Sequence, residues 1–198
     1  MDFTKLQICK TAKELFNQNG YRSVSMRQIA QAVNISLGTL TYHYARKQDL
    51  LAAIMESTIR TFPNDPPQNI PDFQKFLKQL LESIADSPFY FNDPSLYRSI
   101  PLIQNQDYAN VGYLFNLFEA ALAGLVKSGR FSSSLTYTQI HQLSIVLLLS
   151  HTGWSQYNAS RSGSLTIDLG EILAAQWTVL YPYLTPLGLD EYKKAVAL

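Results

Sequence analysis

Residues 37–47 read LGTLTYHYARK, a run whose side chains suit contact with a nucleic acid. Thr39 and Thr41 can donate to or accept from a base edge, and their methyls suit the methyl of thymine. Leu37 is apolar where a helix would face solvent, which also fits a thymine methyl. Tyr42 and His43 can hydrogen-bond phosphate oxygens. Lys47 adds a positive charge at the start of a further helix, beside backbone N–H groups that suit a phosphate. Arg27, upstream, can reach the phosphate backbone or an adjacent base. Groups for base edges flanked by groups for phosphates are what reading a duplex requires.

Such groups act together only if short helices hold them. Residues 3–18 predict an amphipathic helix, with Ile8, Ala12 and Leu15 on one face and Cys9 and Phe16 beside them. Asn19-Gly20 ends it, because glycine tolerates the left-handed backbone found at helix ends. Ser25 caps a second helix, 26–33, and Gln28 completes a capping box. Ile29, Ala30 and Val33 face inward. Asn34 takes the turn, since asparagine accepts positive φ better than other side chains. Ile35 plugs the turn from beneath. Ser36 caps a third helix, 37–43, with Leu40 inward and Tyr44 closing its end. Lys47 and Gln48 open a fourth helix that runs to about residue 62. Together, residues 25–47 read as a helix-turn-helix.

The run Ile8, Gly20-Tyr21, Ser25 to Ala30, Val33, Ile35-Ser36, Gly38 to Leu40, His43-Tyr44 and Lys47 to Leu51 resembles the N-terminal domain of TetR-type transcriptional repressors. The resemblance covers about residues 3–55. It implies a homodimer whose two heads bind a palindromic DNA operator, and larger C-terminal domains that bind a small-molecule effector and release the DNA. By motif position it implies DNA contacts at Ser25, Arg27, Leu37, Thr39, Thr41, Tyr42, His43 and Lys47. The chain departs from the family pattern at three positions. Thr41 stands where an aromatic usually follows the Gly-Thr-Leu step, which moves phosphate binding to Tyr42. Tyr44 replaces the common Phe, and Asn34 replaces a turn glycine.

Beyond residue 62 the sequence predicts only more helices. Pro63-Asn64-Asp65-Pro66-Pro67 stops the fourth helix and Pro71 reinforces the break. Helices are expected at about 72–86, 94–105, 107–129, 136–159, 167–184 and 189–196. Pro88, Pro94 and Pro101 break up the 86–106 stretch, and Pro182 and Pro186 disrupt the end. The fold class is therefore all-α. The expected domains are a DNA-binding head at 1–46, a connecting helix at 47–62 and a ligand-binding and dimerisation domain at 63–198.

This second region is rich in aromatics, which at helical spacing are more often core than ligand box. By the resemblance, helices 94–105, 107–129 and 136–159 line a largely apolar effector pocket, with Tyr97, Tyr113, Phe118 and Trp154 as candidates. The helices at 136–159 and 167–184 have apolar faces wider than one amphipathic helix needs. By the resemblance they form the homodimer interface.

Charge and composition agree with this division. Residues 1–60 carry eight Lys/Arg against four acids, and residues 61–198 carry eight against eleven. The basic end is the one that would meet phosphates. Cys9, the one cysteine, excludes an internal disulfide and fits a small core residue in a reducing cytoplasm. His141 and His151 are ten residues apart, off one helix face, with no carboxylate or cysteine grouped near them in sequence, so no metal site is expected. No nucleophile elbow, phosphate loop, HExxH pattern or carboxylate pair appears, so neither an enzyme nor a cofactor is expected. The N-terminus has no basic segment leading into an apolar one. Apolar runs such as Ile145–Leu149 are too short for a bilayer. A soluble cytoplasmic protein is the expectation. The other reading of the same residues is a helical small-molecule-binding or interaction module without DNA readout.

Overall fold

The computed structural model describes residues 3–59, 65–91, 93, 95, 99–159 and 166–196. Its helices are α1 (Phe3–Asn19), α2 (Met26–Val33), α3 (Leu37–His43), α4 (Lys47–Ile59), α5 (Ile70–Ala85), α6 (Pro88–Phe91), α7 (Pro101–Lys127), α8 (Tyr137–Ala159), α9 (Leu169–Leu180) and α10 (Pro186–Ala195), with a 3₁₀ turn at Tyr181–Tyr183. Among the described residues there is no β-strand, only an isolated antiparallel bridge between Phe131 and Leu184. The chain is all-α, as expected.

It divides into two compact units, residues 1–61 with 87–110, and residues 62–86 with 111–198. The first unit therefore takes back a segment that the sequence reading placed in the C-terminal domain. Its core joins Ile8, Ala12 and Phe16 of α1 to Ile29, Ala30 and Val33 of α2, Leu40 of α3, and Leu50, Leu51 and Ile54 of α4. Phe89 and Ile103 come from the returning segment. The Phe16 ring packs edge-on against Tyr21 at 5.1 Å and lies 5.4 Å from Phe89.

In the second unit α5 presents Ile70, Phe73, Leu77, Leu80, Leu81 and Ile84 along one buried face. Such i, i+3, i+4, i+7 spacing is the stripe a packed helix needs. Phe73 meets Trp177 of α9 at right angles, and the Trp177 indole N–H donates to Gln74 Oε1 at 2.6 Å. Glu191 of α10 accepts from Arg130 and from the Ile70 backbone N–H at 2.9 Å, fixing the first turn of α5.

Prolines account for the main differences from the expected helices. Proline forbids helix interiors but suits a first turn, where its missing N–H would have no partner. Pro88, Pro101 and Pro186 begin α6, α7 and α10, and Pro71 lies in the first turn of α5. The expected helices 94–105 and 107–129 are thus largely one, α7, beginning at Pro101. Helix 167–184 ends at Leu180, where the 3₁₀ turn holding Pro182 takes over. The expected break at Pro63-Asn64 lies outside the described residues; Asp65 to Pro67 are not helical. By length and apolarity alone α7 could cross a bilayer. However, it carries Asp107, Glu119 and Lys127, and its residues Leu114, Phe118, Ala121, Leu122 and Leu125 are core.

His151 of α8 is fully enclosed in the second unit. Its Nδ1 lies 2.8 Å from Gln176 Nε2 and 2.9 Å from the Leu147 carbonyl, and its Nε2 lies 3.4 Å from the Leu77 carbonyl. Neither neutral tautomer serves all three neighbours: Nε2–H can donate to Leu77 while Nδ1 accepts from the Gln176 amide, or Nδ1–H can donate to Leu147. The Gln176 amide also donates to Ser150 Oγ at 2.8 Å. Burial lowers the His151 pKa to about 4, with the two carbonyls opposing. The unfolded chain takes up this proton near pH 6.5 and the folded chain only near pH 4. The contribution is therefore whole above about pH 6.5 and is lost as pH falls toward 4, up to roughly 3 kcal/mol. Urea unfolding from pH 8 to pH 5 should show this fall, and His151→Leu should flatten it while lowering stability at pH 8.

Candidate nucleic-acid interface

Three capping devices set the geometry of α2 and α3. Ser25 Oγ accepts from the Gln28 N–H at 3.3 Å, while Gln28 Oε1 accepts from the Ser25 N–H at 2.8 Å. Asn34 ends α2 with φ 59°, the one non-glycine positive φ among the described residues. Its N–H reaches the Ala30 and Gln31 carbonyls, and the Ile35 N–H returns to Ala30 O at 3.0 Å. Ser36 Oγ then accepts from the Thr39 N–H at 2.9 Å and starts α3. The turn is thus closed by its own polar groups, and the apolar residues beneath it keep it in place.

With Leu40 and Tyr44 buried, α3 shows Leu37, Thr39, Thr41 and Tyr42 to solvent. Tyr42 is 86% exposed, an unusual position for a large ring with no internal task. Thr39 Oγ1 shares a 2.8 Å hydrogen bond with Ser36 Oγ. Thr41 Oγ1 donates back to the Leu37 and Gly38 carbonyls at 3.0 and 3.1 Å. That leaves Thr41 a methyl and acceptor lone pairs for a partner, and no free proton. His43 is half-buried, its ring edge-on to Tyr42 at 5.4 Å. Arg27 is exposed on the first turn of α2, beside Ser25, whose hydroxyl is occupied in the capping box.

Lys47 is placed differently from its sequence reading. Its ammonium donates to the Tyr21 carbonyl at 2.8 Å and the Val24 carbonyl at 2.7 Å, with the Arg22 carbonyl at 3.5 Å. It also lies over the Tyr21 ring, 4.3 Å from the centroid. Burial holds its pKa below the ordinary lysine value. Its neighbour Arg46 is occupied too: the guanidinium grips Asp49 with two bonds, and the Arg46 N–H donates to Asp49 Oδ2 at 2.9 Å. The Cys9 thiol, buried as expected, lies 3.2 Å from Tyr44 Oη, and burial pushes both groups' pKa values up.

The described candidate effector residues have different surroundings. Phe118 is fully buried, 6.0 Å from Phe76 and 5.0 Å from His151. The Trp154 indole N–H donates to the Ile167 carbonyl at 2.7 Å, where Asn158 also bonds Ile167. Tyr113 is half-buried. Tyr97 lies outside the described residues. His141 does have a carboxylate partner, Glu119 at 2.8 Å from its Nδ1, brought in by α7. Among the described residues no group of three or more His, Cys, Asp or Glu could hold a metal ion.

Residues 8–54, which contain this arrangement, match the model of the bacterial regulatory proteins of the tetR family. The transcriptional regulator UidR of Escherichia coli K12 is 40% identical over 86 residues, which are 41% of each chain. The likeness of fold extends further. A TetR-family regulator from Marinobacter aquaeolei VT8 superposes with a TM-score of 0.75 at 22% identity, over 100% of this chain and 97% of its own. A TetR regulator from Haloarcula marismortui gives 0.70 at 18% identity, over 93% and 100%. Residues 8–54 thus carry the sequence pattern of the tetR family's DNA-binding domain. The chain matches about two-fifths of the length of UidR, and over the remainder the likeness to the solved structures is one of fold.

The caps make a direct prediction. Ser36→Ala should lower unfolding free energy by about 1 kcal/mol, as loss of a helix N-cap does. Asn34→Gly should be tolerated within about 0.5 kcal/mol, since glycine adopts positive φ freely, whereas Asn34→Val should cost roughly 1–2 kcal/mol. Chemical denaturation of the three variants checks both statements.

Proposed function

We propose that the chain is a DNA-binding transcriptional regulator that acts as a homodimer on a palindromic operator, with α3 in the major groove. The observation that carries this reading is the exposed face of α3. Leu37, Thr39, Thr41 and Tyr42 are all turned to solvent on a helix that is anchored in the core by Leu40 and by Tyr44 at its end. A helix built only for packing has no need of that combination. Phosphate contacts come from Tyr42, His43 and Arg27, and base contacts from Leu37, Thr39 and Thr41.

The second copy pairs through α8 and α9. On α8, Ile145, Val146 and Leu149 are exposed, Leu149 at 62%, and on α9 Ala174, Ala175 and Val179 are exposed. Two such apolar stripes in each copy match a self-complementary helical interface. Two heads held this way would meet half-sites about 34–36 Å apart. The regulator is a repressor, released when a small, largely apolar effector in the second unit favours a conformation whose heads no longer fit that spacing.

Three measurements test this. Purified chain should select a palindrome from a random duplex pool and bind it with affinity that falls steeply with salt. Recovery of no palindrome would instead favour a helical binding module without DNA readout. Thr39→Ala should change which bases are selected at one position of each half-site rather than weaken all sequences alike. Leu149→Glu should weaken self-association at least about tenfold, because it puts a charge into the apolar contact. Sedimentation against the wild-type chain reads that change, and an unaltered dimer would remove α8 from the interface.

A further inference from the structure

We propose that Lys47 is a positioning residue, a latch that ties the first turn of α4 to the loop before α2, and that it does not contact phosphate. An ammonium has three donors and no acceptor. Here two are taken by short bonds to Tyr21 O and Val24 O, the third faces Arg22 O, and the Tyr21 ring lies beneath the charge. A phosphate oxygen would have to displace one of these partners. The loop gains as much as the lysine does. Residues 21–24 lie between two helices, where the one turn bond, Val24 N–H to Tyr21 O, is long at 3.4 Å and the lysine supplies the Tyr21 and Val24 carbonyls with short bonds. A cation in a first helical turn also opposes the helix dipole, and three carbonyl oxygens offset that field.

The consequence reaches DNA through Ser25. Val24, whose carbonyl makes the shortest of the three bonds, precedes the N-cap of α2, and Arg27 stands two residues further on. The latch thus sets where α2 begins relative to α4. Arg22, within the loop, and Arg46, next to Lys47, are each paired with an aspartate, Asp93 and Asp49, and leave Lys47 the donor that closes the loop.

This inference rests on the DNA-binding reading, and its test keeps the two apart. The full-length wild-type chain and Lys47→Met are compared on a labelled duplex carrying the palindrome that the wild type selects, from about 50 to about 200 mM salt. The temperature is one at which circular dichroism shows both folded. The latch predicts binding at least about tenfold weaker at every salt with an unchanged slope of log K against log salt, faster amide exchange at residues 21–25, and partial recovery in Lys47→Arg. A slope reduced by about 0.9 per bound chain would overturn it, because that is the signature of one lost phosphate contact. Undiminished affinity would overturn it as well. A second measurement needs no variant. At slightly acidic pH the Lys47 ammonium of the free wild-type chain should give a protected, slowly exchanging nitrogen signal that added duplex does not move. A rapidly exchanging signal, or one shifted by the duplex, refutes the latch. If the wild type binds no duplex, the DNA reading fails while the free-chain signal still decides the latch.

Discussion

Helices of eight and seven residues do not hold their shape alone in water, because a first turn costs more order than so few hydrogen bonds return. Helices α2 and α3 are of those lengths, and everything proposed for the first unit depends on their being held. Burial supplies most of what is needed. Ile29, Ala30, Val33 and Leu40 are nearly or wholly enclosed against α1 and α4, and each large apolar side chain contributes roughly 1.5–3 kcal/mol. The caps at Ser25, Asn34 and Ser36 then satisfy the backbone groups that such short helices leave open. The division of labour follows directly. Positions facing inward are committed to the core, and those facing outward on α3 make only local bonds within the helix and its cap.

Much of this head was legible because its determinants are local. A cap and its partner are three residues apart, the left-handed turn is one residue, and the buried stripe repeats with the helical period. Ser25 with Gln28, Asn34, Ile35, Ser36 and Leu40 all stand as the sequence places them. Lys47 could not be read this way. Its position at the start of α4 is local information, but its carbonyl partners lie 23 to 26 residues earlier, and only the tertiary fold brings them near. The same holds for Glu119 beside His141 and for Glu191 between Arg130 and Ile70. The return of residues 87–110 to the first unit is likewise a matter of long-range packing. The prolines were legible in kind and misread in sense, since a residue that cannot continue a helix can begin one.

The second unit shows where composition stops being informative. The run Ile145–Leu149 is uniformly apolar, yet Leu147 is fully buried while Ile145, Val146 and Leu149 face solvent. No periodicity within five apolar residues separates a core position from an interface position. Among the aromatics, Phe118 and Trp177 are core, and Trp154 is held by a backbone carbonyl. Ring content alone therefore says little about where an effector would sit. The polar groups that packing leaves inside, His151 with Gln176 and Ser150, are the more specific feature of this unit.

The central claim is that α3 reads bases from the major groove. It is tested most directly by replacing purines of the selected duplex, one at a time, with 7-deaza analogues. These remove the N7 acceptor from the major groove and leave every phosphate in place. The account predicts that binding weakens at positions clustered in two patches about one helical turn apart, at unchanged salt dependence. Salt-sensitive binding that no 7-deaza substitution weakens would contradict it, since the chain would then hold the backbone without reading the groove.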